Sequence, residues 1–395
     1  MNIKRYRTIL SPLLVLITVL AVACGPAATP TAVPAAPTAV PVAPTVVQPS
    51  SSGPSQALID AAKAEGQLTI VAVPDDWLNY AKAKADFTKK YGLKLNDLDP
   101  QAGSADEINY VKNNKDSKGP QNPDVLDVGY AFGPQLVSEG LCQPYKPASW
   151  DTIPTGLKEA SGCWFGDYYG VFSFAVNKSV VKNVPADWSD LLKPEYKNSV
   201  AIAGDPLASN QAQQSIFAAG LANGGTLTDP SKGLDFFASL AKAGNFVPLV
   251  GSQGSLAKGE TPILITWDYL ALGYKDILKG NPEIAVVVPK TGVFGGVYIM
   301  SISKFAPHPN AAKLWVEYLY SDEGQLVWLS GFGHPIRYDD LAKRGVIPAD
   351  MAAKLPSAAL YATAVFPTGE QVAAARKAIG DSWDKVVGVK VNKGS

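Results

Sequence analysis

Two kinds of apolar pattern alternate along most of this chain. Short, nearly continuous apolar runs, typical of buried strands, occur at 67–73, 124–130, 170–177, 199–203, 261–266, 284–288 and 297–303. Between them, apolar residues recur every three or four positions, which predicts helices at 55–66, 209–222, 268–279 and 310–319. A further helix is predicted directly after the first strand, with Asp75 or Asp76 as its N-cap. Because strands alternate with helices, we predict an α/β protein with mixed, mostly parallel sheets flanked by helices.

The first 23 residues follow a different pattern. Basic residues precede an apolar run from Ile9 to Ala23, which is typical of a signal peptide over 1–23. The run is shorter than the roughly 20 residues of a spanning helix. The segment 21–25, AVACG, resembles a bacterial lipobox, which implies lipidation at Cys24 and an extracytoplasmic protein anchored to the cell membrane by lipid alone. The alternative is a cleaved signal peptide in which Cys24 has no role.

Composition divides the rest into a tether and a globular part. Residues 25–55 contain eight prolines and no charged residue, so we predict that 24–55 is the lipid anchor and its tether. The globular part then has about 340 residues, which is enough for two domains. Without the leader, 32 basic and 35 acidic residues remain, and this near balance gives no indication of nucleic-acid binding.

Two cysteines are left once Cys24 is assigned to the anchor. Cys142 and Cys163 form an even pair in a chain that is exported to an oxidising compartment. We therefore predict a disulfide between them.

Several segments resemble one known family. They are QLTIVAV at 67–73, DVLDVGYAFGPQLVSEG at 124–140, GDYYGVFSFAVNKS at 166–179, ADWSDLLKPEYKNSVAIAGDP at 186–206 and APHPNAAKLWVEYLYSDEGQ at 306–325. The chain resembles the type 2 periplasmic binding proteins of the extracellular solute-binding group, which includes ferric-ion, polyamine, thiamine and aminoethylphosphonate binders.

This resemblance implies two lobes with a ligand cleft between them. One lobe would hold 56–172 plus 293–395, and the other 173–292, with hinges near 172–176 and 289–295. A ligand that touches both lobes would stabilise the closed form. The implied partners are a small-molecule ligand and an ABC permease and ATPase complex, and we expect a monomer. A sensory role, in which a membrane receptor recognises the closed form, is the alternative.

The cleft residues follow from a geometric rule. In open α/β sheets, ligands bind beyond the carboxyl ends of strands. Three tyrosines near the expected crossovers are added. Tyr168 and Tyr169 are alternatives, because neighbours in a strand face opposite sides. The candidates are Asp75, Asp76, Trp77, Tyr130, Tyr169, Asp205, Ser209, Trp267, Asp268, Tyr269 and Tyr298. The triplet 267–269 is the strongest, because a buried strand passes there into a helix.

Other roles remain open for several of these residues. Asp75 and Asp76 are equally suited to helix capping. Asp205, which precedes a proline, suits a turn. Trp77 is placed like a core residue of a helix.

The candidates include carboxylates and aromatic rings but no Arg, Lys or His. Carboxylates pair with ammonium groups, and aromatic faces attract alkylammonium ions. The first expectation is therefore a polyamine or another organic amine.

Two other ligands remain possible. Ferric iron would require Tyr269 and Tyr130 or Tyr298 to converge with Asp268. An oxyanion would need the helix start at 209–211 and the amides of Gly295 and Gly296.

Catalysis is not indicated. Motifs such as GxSxG, HExxH, GxGxxG and a Walker A loop are absent from the sequence. His308 and His334 have no spacing that suggests a metal site. We expect a binding protein without a cofactor.

Overall fold

A computed structural model describes residues 53–361 and 363–392, apart from the side chain of Ala358. The predicted signal peptide, Cys24 and nearly all of the predicted tether lie outside these residues. Within the described ranges, no helix combines the length and the apolar character needed to cross a membrane.

Strands and helices alternate as predicted. The strands are β1 Gln67–Val71, β2 Lys94–Leu98, β3 Val125–Gly129, β4 Cys142–Gln143, β5 Phe165–Asn177, β6 Val200–Ile202, β7 Phe246–Val250, β8 Ile263–Trp267, β9 Ile284–Val287, β10 Gly295–Ser303 and β11 His334–Pro335. The helices are α1 Gln56–Glu65, α2 Tyr80–Tyr91, α3 Ser104–Asn114, α4 Gly133–Ser138, α5 Asn210–Ala222, α6 Ser231–Ala243, α7 Gln253–Lys258, α8 Asp268–Leu278, α9 Pro309–Leu319, α10 Asp322–Ser330, α11 Tyr338–Lys343, α12 Ala349–Ala352, α13 Ala358–Tyr361 and α14 Gly369–Val386. Short 3-10 turns connect several of them.

The strands form a parallel β1–β2 pair and a nine-stranded mixed sheet. The order in the larger sheet is β3-β10-β5-β8-β6-β7. β6 is parallel to β7 and β8, whereas β10 is antiparallel to β3 and β5, and β5 is antiparallel to β8. Parallel pairs are therefore fewer than the alternation of strands and helices predicted. The long strands β5 and β10 cause this difference, because both run antiparallel to their neighbours. The local pattern of a strand does not show the direction in which the chain re-enters the sheet.

The 13-residue strand β5 changes its sheet partner in the middle. Its first part, through Val171, pairs with β10, and its second part, from Phe172, pairs with β8 and β9. The strand is buried along almost its whole length, as expected for a strand covered on both faces. Residues on either side of this change of partner lie at the centre of the molecule.

Two helix starts hold candidate residues in place. Ser209 caps α5 by accepting the N–H of Ala212, the usual role of Ser at this position. β8 passes directly into α8, which puts the carboxylate of Asp268 in the first helical turn, where the helix dipole favours a negative charge.

The start of α2 differs from the prediction. A turn follows Pro74, with the N–H of Trp77 bonded to the Pro74 carbonyl, and the helix begins only after Asn79, which is left-handed with φ 61°. The prediction that Asp75 or Asp76 caps this helix is therefore wrong. Trp77 lies in the turn rather than on the helix.

Cys142 and Cys163 form the predicted disulfide, with their Cα atoms 5.3 Å apart. Cys142 lies in β4, which pairs with β10, and Cys163 lies two residues before β5. The bond therefore joins both ends of the loop that leads into the central strand.

Reduction of this disulfide is expected to lower the free energy of unfolding by about 3 kcal/mol, because the cross-link restricts the unfolded chain. Urea unfolding with and without reductant measures the difference. Alkylation is the independent check: both thiols should resist iodoacetamide in denaturant until reductant is added. Labelling of the denatured, unreduced protein would show that the bond does not form.

Candidate ligand cleft

Five aromatic side chains from distant parts of the chain meet at the centre of the large sheet. Trp77 meets Tyr269 and Tyr298 edge-on, with ring centroids 5.7 and 5.5 Å apart. Tyr168 stacks on Tyr298 at 5.4 Å, and Trp267 stacks on Tyr269 at 6.2 Å. We call these five residues the aromatic cluster. Apart from Trp77, which is half-buried, all are buried.

The cleft at the aromatic cluster is closed in this structure. The neighbouring space, lined by Gln214, Gly296 and Phe366 among others, is too small for a water molecule. The close packing depends on glycines, since a Cβ at Gly296 would lie 2.1 Å from the ring of Trp267.

Two further glycines allow α5 and α8 to approach the central strands. A Cβ at Gly129 would lie 2.0 Å from Cγ of Asn210, the first residue of α5. A Cβ at Gly170 would lie 2.6 Å from Oδ1 of Asp268. Such distances are far shorter than any ordinary contact, so side chains at these two positions would force the helix starts away from the sheet.

Asp268 is fully buried beside the aromatic cluster. Its Oδ1 accepts the N–H of Val171 at 3.0 Å, and its Oδ2 accepts the hydroxyl of Tyr361. Burial raises the pKa of Asp268 to about 7, although the hydrogen bonds from Tyr361 and Val171 lower it. Among the described residues, no salt bridge involves this carboxyl. Its charge near neutral pH is therefore not matched by a basic side chain.

A second buried carboxyl, which the sequence did not single out, lies beneath the cluster. Trp77 Nε1 donates to the hydroxyl of Tyr168 at 2.8 Å, and that hydroxyl donates to both oxygens of Asp127 at 3.1 Å. Tyr80 also donates to Asp127, at 2.7 Å. Burial raises the pKa of Asp127 to about 6. Burial and then the charge of Asp127 raise the pKa of Asp167 well above its usual range. The floor of the cleft is thus acidic.

The structure brings some of the predicted residues together and places others elsewhere. Trp77, Trp267, Tyr269 and Tyr298 form the aromatic cluster with Asp268 next to it. Tyr169 points to the other side of β5 from Tyr168, and its ring lies 6.1 Å from that of Tyr361. Only one of the two adjacent tyrosines therefore joins the aromatic cluster, and it is Tyr168.

The remaining predicted residues lie around the rim or have structural contacts. Asp75 is exposed and pairs with Lys84 at 2.9 Å. Asp76 is exposed too. The pKa of Tyr274 on α8 is raised mainly by the burial of Tyr274 itself, and further by the negative charge of Asp76. Asp205 accepts the N–H of Leu207 at 2.9 Å within a turn. The Tyr130 hydroxyl donates to the carbonyl of Gly156 at 3.0 Å.

Three of the groups considered for an oxyanion already have partners. The N–H of Gly295 donates to the carbonyl of Val365 at 3.0 Å, Gly296 pairs with Gly170 in the sheet, and Ser209 caps its own helix. The two histidines do not meet. His308 bonds to Asp124 at 2.9 Å, and burial lowers the pKa of His334 to about 4. Within the described ranges, no group of three His, Cys, Asp or Glu side chains is arranged to hold a metal.

Sequence reasoning missed several polar groups at the cleft. Asn210 and Gln214 are buried on α5, and among the described residues Asn210 Nδ2 and Gln214 Oε1 have no partner in good hydrogen-bond geometry. The same holds for Trp267 Nε1 and the Tyr269 hydroxyl, although Asn210 and Trp267 both lie near enough to Tyr298 to lower the pKa of its hydroxyl. A signal was present at 210–215, NQAQQS, where five polar residues occupy a helix that the apolar pattern places in the interior. Tyr361 gave no signal, since it lies 93 residues from Asp268.

Comparisons with known proteins agree with this architecture. The model of the family described as bacterial extracellular solute-binding protein matches residues 121–360. An uncharacterized protein of Haemophilus influenzae is 31% identical over 297 residues, which are 70% of this chain and 79% of that protein. The sulfate-binding protein of Salmonella typhimurium is 29% identical over 185 residues, 45% of this chain and 54% of that one.

A solved structure confirms the fold. The periplasmic binding protein AfuA of Actinobacillus pleuropneumoniae, solved with fructose-6-phosphate bound, matches with a TM-score of 0.61 over 82% of this chain and 99% of its own, at 22% identity. The predicted type 2 periplasmic binding protein fold is therefore confirmed, and the chain belongs to the family of bacterial extracellular solute-binding proteins.

Proposed function

We propose that this protein captures a small organic amine, such as a polyamine, between two lobes and delivers it to an ABC importer. One observation carries the choice of ligand: Trp77, Tyr269 and Tyr298 converge beside Asp268, a buried carboxyl that forms no salt bridge with any residue in 53–361 or 363–392. An ammonium group would form a charge-assisted hydrogen bond with the carboxyl. Each aromatic face would add about 0.5 to 2 kcal/mol of cation-π attraction.

The acidic floor supports the same choice. Asp127 and Asp167 are buried beneath the aromatic cluster, and in the described part of the chain no salt bridge neutralises them. Burial raises the pKa of both carboxyls and so favours their protonated, neutral forms. A cationic ligand nearby would favour their ionised forms, because charges attract more strongly where the surroundings screen them less.

The proposed lobes are 56–172 plus 293–395, and 173–292. The change of sheet partner at Phe172 supports a boundary there. The C-terminal residues have contacts on both sides: α14 packs against 130–132 and also against α5 and α6, and Asn392 pairs with Leu249 of β7. Under this proposal, α14 crosses from the first lobe to the second and moves with one of them when the cleft opens.

An oxyanion is the second candidate ligand. Trp267 Nε1 can only donate a hydrogen bond, and in the described part of the chain neither it nor Asn210 Nδ2 meets an acceptor in good hydrogen-bond geometry. Both residues lie close enough to the Tyr298 hydroxyl to lower the pKa of that group, so a ligand oxygen would take over donors that now face Tyr298. A sulfate, phosphate or phosphonate oxygen would satisfy such donors without a basic residue. The names of the sulfate-binding relative and of the structure solved with a sugar phosphate agree with this candidate.

Ferric iron has less support. The rings of Tyr168, Tyr269 and Tyr298 do converge. However, the carboxyl of Asp268, which the iron hypothesis needs beside Tyr269, bonds to Val171 and Tyr361 instead. A complete set of hard oxygen ligands is therefore not assembled around one point.

A thermal-shift screen tests the proposal. The chain from residue 25 onward is heated with spermidine, putrescine, choline, 2-aminoethylphosphonate, sulfate, phosphate or ferric citrate. A ligand at about 100 times its Kd stabilises the protein by about 2.7 kcal/mol. A shift with an amine supports the proposal. A shift with sulfate or phosphate alone supports the oxyanion, and one with ferric citrate alone would contradict both.

Tyr269→Phe is expected to weaken binding of the ligand found in this screen about tenfold or more, because a hydrogen bond to a charged group is lost. Without ligand, its unfolding free energy should be nearly unchanged, since the hydroxyl has no partner in the closed cleft. Tyr318→Phe is the matched control. Tyr318 is equally buried, its hydroxyl also lacks a partner, and it packs against Phe87 outside the cleft. Equal Kd values for both variants and the wild type would remove Tyr269 from the site.

A further inference from the structure

Tyr361 connects the C-terminal region to the start of α8. It is the last residue of α13, and its hydroxyl donates to Oδ2 of Asp268. Its ring lies 3.9 Å from that of His334 and 6.1 Å from that of Tyr169. His334 is held in β11, which pairs with β5 at Tyr169. The ring of Tyr361 is thus fixed to the first proposed lobe, while its hydroxyl binds the second.

The chain after Tyr361 is attached next to the proposed hinge. The N–H of Val365 donates to the carbonyl of Val293 at 2.8 Å, and the N–H of Gly295 donates to the carbonyl of Val365 at 3.0 Å. The ring of Phe366 occupies the space that a Cβ of Gly295 would need, 2.3 Å away. These contacts place the C-terminal region against the crossover strand, where the ring of Phe366 packs on Tyr169.

We propose that Tyr361 is a latch that holds the ligand-free protein closed by occupying the carboxyl of Asp268. This inference rests on the proposed two-lobed function and names how its cleft is regulated. The phenol is a neutral donor, whereas an ammonium group adds the attraction between opposite charges to its hydrogen bond with a carboxylate. An amine ligand therefore takes the place of the phenol, whereas an apolar solute does not release the latch.

The latch would act through the free-energy cost of removing a hydrogen bond from the buried carboxyl of Asp268. Asp268 is fully buried and accepts hydrogen bonds from the backbone N–H of Val171 and from the Tyr361 hydroxyl, and a buried carboxyl that loses one of its donors is destabilised. With Tyr361 in place, Oδ2 of Asp268 is bonded while the rings of the aromatic cluster are packed together, which favours the closed form. Without it, opening restores water to Asp268, and the open form is favoured.

The test compares Tyr361→Phe with Tyr338→Phe in the absence of any ligand. Tyr338 also packs on His334, with centroids 4.9 Å apart, and it has no hydrogen bond to Asp268. Small-angle X-ray scattering measures the radius of gyration, and acrylamide quenching reports exposure of Trp77 and Trp267.

We expect Tyr361→Phe to have a larger radius of gyration and stronger quenching, with a closed-to-open ratio about tenfold lower, the loss expected for one hydrogen bond to a charged group. Tyr338→Phe should match the wild type. If both variants match the wild type, the latch is overturned.

A second measurement keeps this inference separate from the choice of ligand. If the latch variant opens but spermidine stabilises neither protein in a thermal-shift assay, the latch stands and the proposed amine fails. If spermidine binds, its Kd for Tyr361→Phe should fall several-fold, because no phenol competes for the carboxyl. A higher Kd would show that Tyr361 is a ligand contact and would overturn its role as a competitor.

Discussion

Replacing Asp268 by Asn is expected to stabilise the protein by up to about 4 kcal/mol above pH 7 and by little near pH 4. Burial raises the pKa of Asp268 to about 7 from the ordinary aspartate value of 3.8. Between these two values the folded protein keeps a proton that the unfolded chain releases, so the wild type loses stability as pH rises through this window. Each unit of difference corresponds to 1.36 kcal/mol.

The Asn variant avoids this loss while keeping the local contacts. Its amide oxygen can accept the N–H of Val171, and its amide nitrogen can donate to the oxygen of Tyr361, the reverse of the bond in which the Tyr361 hydroxyl donates to Asp268. Urea unfolding between pH 4 and pH 8 measures the difference from the wild type at each pH. The lowered pKa of His334 affects both proteins alike and cancels in this difference.

Asp235→Asn is the control for this experiment, because Asp235 is exposed on α6 and makes no salt bridge in the described residues. Its difference from the wild type should not change with pH. A difference for Asp268→Asn that is flat, or that shrinks as pH rises, would contradict the account of a buried, unneutralised carboxyl.

Replacing Gly129 by Ala is expected to raise the Kd for the ligand by about 10- to 100-fold, because the new methyl group prevents closure. Its Cβ would lie 2.0 to 2.3 Å from three side-chain atoms of Asn210, and overlap in a packed site costs about 1 to 3 kcal/mol. Every 1.4 kcal/mol is a tenfold change in Kd. The Asn210 side chain cannot move away freely, since it accepts a 2.7 Å hydrogen bond from Gln214.

Gly129→Ala should reduce closure of the cleft rather than the stability of the fold. The φ of Gly129 is −60°, a value that Ala adopts without strain. Under the proposed division into lobes, β3 and α5 belong to different lobes and separate when the cleft opens. Small-angle scattering should therefore show a more open protein, and calorimetric titration should show the weaker binding.

Two variants complete the Gly129 experiment. Gly129→Ala combined with Asn210→Ala should recover closure, because the overlapping side chain is removed. Gly273→Ala, on α8 where a Cβ meets nothing within 4 Å, should bind as the wild type does. Full affinity in Gly129→Ala alone would mean that these two residues separate little when the cleft opens.

The two proposed ligand classes would use different polar groups of the site. An amine uses Asp268 and the aromatic faces, whereas an oxyanion uses Trp267 Nε1 and Asn210 Nδ2. These groups lie on both sides of the same aromatic cluster, so a compound such as 2-aminoethylphosphonate, which carries an ammonium and a phosphonate, could satisfy both. The screen above includes it for this reason.

Much of the secondary structure followed from the sequence, because it depends on local patterns. The apolar runs at 67–73, 124–130 and 261–266 are strands β1, β3 and β8, with ends moved by a few residues. The paired cysteines are bonded. The placement of the triplet 267–269 at a strand-to-helix junction was also correct, since a change from a continuous apolar run to a helical period is visible within ten residues.

The site itself was decided by contacts between distant parts of the chain. Asp268 accepts a hydrogen bond from Tyr361, which lies 93 residues away in sequence. Asp127 accepts hydrogen bonds from Tyr80 and Tyr168, which lie 47 and 41 residues away. Local periodicity shows that a residue is buried but not which residue it meets, and Tyr168 and Tyr169 were equivalent until the sheet gave them opposite faces. The sequence thus determined about half of the strands and helices, the disulfide and the family resemblance, whereas only the tertiary structure decided strand direction, the packing of the aromatic cluster and the partners of each buried carboxyl, because these depend on contacts between residues far apart in the chain.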